Sequence, residues 1–115
     1  MKIREIKELL DAEVLCLEDL LDEDVHSACG SDMMSDVLAF VKDQAVLLTG
    51  LVNSQVIRTA QMMDMICVVF VRSKRPTLEM IEIAEENNIV LLATNKRMYE
   101  ACGTLYVNGL GAPNE

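Results

Sequence analysis

Residues 46–71 read VLLTGLVNSQVIRTAQMMDMICVVFV, and this stretch decides the fold. Val46-Leu47-Leu48 is an aliphatic run of strand length, and Thr49-Gly50 supplies the turn after it. Asn53 or Ser54 then caps a helix on which Val56, Ile57, Ala60 and Met63 recur at helical spacing. Cys67–Val71 is a second continuous apolar run. Strands that are apolar on both faces and separated by an amphipathic helix are parallel strands with helices packed over them.

The same alternation extends in both directions. Toward the C-terminus, Arg72-Ser73-Lys74-Arg75-Pro76 turns, and Thr77 caps a helix with Glu79 in its first turn and Leu78, Ile81 and Ala84 along it. Asn87-Asn88 suits a left-handed helix exit. Ile89–Ala93 is a further strand, and Thr94 or Asn95 is the expected cap of a last helix through about Leu105. Toward the N-terminus, Gly30-Ser31-Asp32 leads into a helix over Met33–Val41, with Ser31 or Asp32 as cap. Val25–Cys29 and Glu13–Cys16 are strand-like, and Ile3, Ile6, Leu9 and Leu10 share one helical face. The expectation is a single α/β domain over residues 1–108, with about five strands in a mainly parallel sheet and helices on its faces. The breaker-rich stretch 109–115 is expected to be a flexible tail.

Composition agrees with one packed domain. The chain has 115 residues, 51% of them hydrophobic, enough to bury roughly two thirds of the surface that an unfolded chain exposes. No apolar run approaches the ~20 residues of a membrane helix. The N-terminal residues turn charged and amphipathic at once, with no signal-peptide apolar region, so a cytoplasmic protein is expected. Aromatic residues are only 3%, with no Trp, whereas Met numbers 8. A base-stacking surface is therefore missing, and a net charge of −9 repels polyanions, so no nucleic acid partner is expected. Residues 1–43 carry 12 acids against 4 bases, and residues 44–115 carry 7 against 6. The surplus lies largely in Glu18-Asp19 and Asp22-Glu23-Asp24, which reads as a solvated loop or, more sharply, as a docking face for a basic partner.

The chemistry-bearing residues form no catalytic set. Cys16, Cys29, Cys67 and Cys102 include no C-x-x-C pair, and His26 stands alone, so no metal site is expected. A Walker loop, a G-x-G-x-x-G loop and a G-x-S-x-G elbow are all absent. No catalytic residue and no cofactor are expected. What remains is the edge where parallel strands feed helix N-termini, the place where ligands gather on open sheets. Six of the ten basic residues, Arg58, Arg72, Lys74, Arg75, Lys96 and Arg97, lie in or just after those turns. An anion-binding site there would use Thr49, Gly50, Asn53, Ser54, Arg72, Ser73, Lys74 and Arg75.

Gly30–Phe40 and Val46–Ala60 resemble the DRTGG domain in its stand-alone short form. The likeness continues through Arg75-Pro76-Thr77, Ile83-Ala84-Glu85, Ile89–Leu92 and Tyr99–Gly103. The family's Asp-Arg falls on Val52-Asn53, and its Thr-Gly-Gly falls on Val71-Arg72-Ser73. The resemblance implies a domain similar to the N-terminal domain of HPr kinase. Related copies occur in some phosphate acetyltransferases and between CBS domains in regulated pyrophosphatases, as accessory and often dimerising modules. Stand-alone copies are associated with iron-hydrogenase gene clusters of anaerobes. The function expected is thus non-catalytic regulation or protein interaction as a homodimer, and the alternative is a sensor of an anionic metabolite or adenine nucleotide. Met33, Met34, Met62, Met63 and Met65 also point to a protein partner, because residues at the start of one helix and the end of another cannot all face one core.

Overall fold

The computed structural model describes residues 1–40 and 44–111. In chain order the elements are α1 (Ile3–Leu10), β1 (Glu13–Val14), a 3-10 turn (Glu18–Leu20), β2 (Ser27–Gly30), α2 (Met34–Phe40), β3 (Ala45–Thr49), α3 (Ser54–Met62), β4 (Cys67–Phe70), α4 (Leu78–Glu86), β5 (Val90–Ala93) and α5 (Met98–Val107). They form one five-stranded sheet in the order β1-β5-β4-β3-β2. β2 to β5 are parallel, and β1 joins β5 antiparallel through Glu13↔Ala93 and Val14↔Leu92.

The three central strands are buried along their whole length, as their unbroken aliphatic sequence requires. Successive side chains alternate between two cores. Val46, Leu48, Val69 and Leu92 pack with Ile3, Ile6 and Leu10 of α1 and with Ala101 and Leu105 of α5. Leu47, Val68, Phe70 and Leu91 pack with Met34 and Val37 of α2, Val56 and Ile57 of α3, and Met80 and Ala84 of α4. Strands added in one direction put every crossover helix on the same face, which leaves α1 and α5 to cover the other.

Helix exits are built alike. After α3 the Met65 N–H reaches the Ala60 carbonyl, and after α4 the Ile89 N–H reaches the Ala84 carbonyl. The residue between is left-handed each time: Asp64 at φ 54° and Asn88 at φ 58°. These are Schellman ends, and Asn88 takes the conformation expected of it. Gly109, at φ 102°, ends α5 in the same way, with Leu110 donating to Leu105.

Several local expectations are corrected. α5 starts at Met98, after Arg97, and neither Thr94 nor Asn95 caps it. Thr94 Oγ1 instead donates to the Leu10 carbonyl and accepts from the Lys96 N–H, so the chain makes a further turn before the helix. At α2, Ser31 Oγ accepts from the Met33 N–H, whereas Asp32 is drawn away to the next loop. β1 is only two residues long, with Leu15 donating to Leu91 beyond it and Cys16 buried in a bend. Of the five methionines expected at a partner surface, Met34 and Met65 are core, Met63 is partly buried, and Met33 and Met62 are well exposed. α2 begins at the carboxyl edge of the sheet and α3 ends at the opposite one, so those two form no single surface. In the segment after residue 108, Leu110 is buried against the α1–α5 core, while Val41 of the expected α2 and residues 112–115 lie outside the described residues.

Candidate functional site

Because β2 to β5 are parallel, the turns after Gly30, Thr49, Phe70 and Ala93 gather at one edge of the sheet. Antiparallel β1 brings Asp11 and Glu13 to the same edge. The four turns expected to line it do so.

Asp32 organises the centre. Its Oδ1 accepts from the Gly50 N–H at 2.6 Å and from Thr49 Oγ1 at 3.1 Å, and its Oδ2 accepts from Arg72 Nη2 at 3.1 Å. Thr49 Oγ1 also accepts from the Leu51 N–H, which fixes the turn after β3. The Gly50 N–H, followed by Arg72 and Thr49, holds the Asp32 carboxyl below the ordinary carboxylate range despite partial burial. The Arg72 guanidinium lies directly over the Gly50 Cα, where a Cβ would overlap it. A side chain at position 50 would have to push the guanidinium away from Asp32.

Arg72 and Ser73 are the two central residues of a tight turn closed by Lys74 N–H to Val71 C=O at 3.1 Å. Their φ angles are 58° and 62°. Two consecutive left-handed residues make a type I′ turn, which glycine enters freely and side-chain-bearing residues enter at a cost of roughly 1 kcal/mol each. The turn thus takes a backbone form that suits glycine while carrying a cation and a hydroxyl. It is held by Arg72 N–H to Lys96 C=O at 2.8 Å, Ser73 N–H to Thr94 C=O at 3.1 Å, and Ser73 Oγ to Asn95 Oδ1 at 2.9 Å.

Arg75 points the other way and grips Glu13 with both nitrogens, at 3.1 and 3.0 Å. That pairing holds the Glu13 carboxyl below its ordinary range. Lys74 is exposed and borders a shallow hollow of about 280 Å³ together with Asp11, Glu13, Ser73, Arg75 and Asn95. Lys96 pairs with Glu100 at 3.6 Å.

Of the residues proposed for a ligand, Thr49, Gly50 and Arg72 come together around Asp32, Ser73 joins Asn95, and Lys74 and Arg75 face the hollow. Asn53 Oδ1 caps α3 through the Gln55 N–H, and Ser54 is the helix's first residue. Neither shares a hydrogen bond with the Asp32 group. Sequence reasoning missed Asp32, Glu13 and Asn95. Asp32 was legible as a polar residue directly after a strand, but its partner Arg72 lies forty positions away.

Elsewhere, the acidic loop is tied to the start of α1: Arg4 pairs with Asp22 at 3.0 Å, and Lys2 with Asp24 at 4.0 Å. The four cysteines are free thiols, and burial pushes all four up. Among the described residues no His, Cys, Asp and Glu cluster could hold a metal, and no helix is long and apolar enough to cross a membrane.

No protein-family model matches the chain, and no curated protein matches it. Among solved structures, it is similar to the CBS and DRTGG domains of the regulatory region of Clostridium perfringens pyrophosphatase, crystallised with the activator diadenosine tetraphosphate. The TM-score is 0.73 over 99% of this chain at 16% identity, and the match spans 51% of that chain. The likeness is one of fold, to a DRTGG-containing regulatory region.

Proposed function

We propose that this chain is a non-catalytic regulatory domain that acts on another protein as a homodimeric accessory module. The observation that carries the reading is the state of the carboxyl edge. Its two best anion-holding side chains, Arg72 and Arg75, are already engaged by Asp32 and Glu13. An incoming anion must displace a carboxylate that is also hydrogen-bonded to Gly50, or break a bidentate pair. The fold likeness to part of a regulatory region supports the same role. The family resemblance extends it to an accessory role beside hydrogenase or other energy metabolism in an anaerobe, in the cytoplasm, and conserved genomic neighbours of that kind would test this extension.

The experiment is capture of a partner by the purified domain followed by calorimetry with the isolated pair. The domain should bind a protein with a defined stoichiometry, and neither component should gain a new chemical activity. Turnover of a substrate by the domain alone would overturn the reading.

A second reading, a sensor of phosphate-bearing metabolites, is favoured by one observation: Arg72 and Ser73 hold left-handed conformations at the ligand edge. The activator bound in the similar pyrophosphatase region makes a polyphosphate ligand the natural probe. In this reading Arg72→Ala weakens binding at least tenfold.

A further inference from the structure

We infer that the hollow at the end of β5, which Asp11 and Lys74 both line, is a binding site for a small zwitterion of the α-amino acid class. Such a site stands apart from any protein-docking surface and holds whether or not the domain pairs.

Two opposite charges enter this hollow without meeting. Glu13 and Arg75 also line it, but they neutralise each other through their bidentate pair. Asp11 and Lys74 are both exposed, and neither side chain has a hydrogen bond or ion pair among the described residues. Thr94 ties their two walls together. Its hydroxyl donates to the Leu10 carbonyl at 2.7 Å, and its carbonyl accepts from the Ser73 N–H at 3.1 Å. Asp11 follows Leu10 and Lys74 follows Ser73, so both charges are anchored about one residue.

The placement of Asp11 is the independent sign. It ends α1 in the left-handed conformation, at φ 49°. The helix dipole disfavours an acid at that end, and Gly or Asn suits the left-handed exit better. No contact inside the chain accounts for a carboxylate there. A cation from outside does, because it meets the carboxylate and the negative end of the helix together. Beside Lys74, Asn95 uses its Oδ1 to accept from Ser73 Oγ, which leaves its amide N–H groups to join the Lys74 ammonium around a carboxylate.

Charge and size select the occupant. The chain carries −9, which repels free anions at long range but exerts no net force on a neutral zwitterion. The hollow itself is balanced, with Asp11 and Glu13 against Lys74 and Arg75. At about 280 Å³ it lies just below the ~300–1,000 Å³ of pockets that take larger organic ligands. A second hollow of about 260 Å³ shares Asp11, Thr94 and Asn95 with it and runs past the Lys96–Glu100 pair, which gives the ligand's side chain a place.

Amide NMR of the isotope-labelled chain, titrated to millimolar with each of the common protein amino acids in turn, tests this. At least one should shift the Asp11, Ser73, Lys74 and Asn95 amides along a saturating curve. Acetate and methylamine, each carrying one of the two charges, should bind at least about tenfold more weakly than that amino acid. Asp11→Asn and Lys74→Gln should each weaken its binding about tenfold while the spectrum keeps its folded dispersion. Arg58→Gln, an exposed cation on α3 away from the hollow, should leave the binding unchanged. No saturating shift with any amino acid overturns the site. Acetate binding as tightly as the amino acid, or undiminished binding by Asp11→Asn and Lys74→Gln, overturns the zwitterion.

Discussion

Asp32 draws three groups together: a buried backbone N–H, a buried hydroxyl and an arginine at positive φ. Replacing it with Ala leaves the Gly50 N–H without an acceptor and frees Arg72, at an expected cost of about 1–3 kcal/mol in urea unfolding. Asp32→Asn keeps an acceptor and loses the charge, so its cost should stay under about 1 kcal/mol. Equal stability of Asp32→Ala and the wild-type chain would refute this account of the turn. Proton linkage follows from the same contacts. Asp32, Glu13 and Asp22 all have folded values below their unfolded ones. Each therefore contributes stability above the ordinary carboxylate value near pH 4, and loses it as pH falls through the depressed value. The urea midpoint should be flat near neutrality and fall below about pH 4. In Asp32→Asn that fall should be shallower.

At the scale of elements, the strand and helix pattern was legible because it rests on local periodicity: five apolar runs became five strands, and Thr77, Asn53 and Asn88 took the capping and exit roles their chemistry suits. What escaped was set by distance in sequence. Asp32 and Ser31 are equally good helix caps locally, and only the neighbouring Gly50 N–H and Arg72 decide that Asp32 turns away. Thr94 likewise looks like a cap until the Leu10 carbonyl, eighty-four residues earlier, claims its hydroxyl. The ion pair of Arg75 with Glu13 depends on β1 joining β5 antiparallel, a long-range pairing that local periodicity does not give. Helix exits offer a direct test of the geometry. Asp64 is exposed at φ 54° in a Schellman end and makes no side-chain bond among the described residues. Asp64→Gly should raise stability by about 0.5–1 kcal/mol in chemical denaturation. A loss of that size would show that the exit is not left-handed.

For the whole molecule, the fold places its basic turns at one edge and then neutralises them from within. Asp32 comes from the turn after β2 and Glu13 from antiparallel β1, so carboxylates from both sides of the sheet reach the central arginines. A domain arranged in this way offers small anions little. Calorimetric titration of the wild-type chain with ATP, ADP and AMP tests that claim most directly. Dissociation constants weaker than micromolar, or no heat at all, are the expected result. A sub-micromolar constant, worth more than about 8 kcal/mol and weakened by Arg72→Ala, would contradict it and make the carboxyl edge a nucleotide sensor.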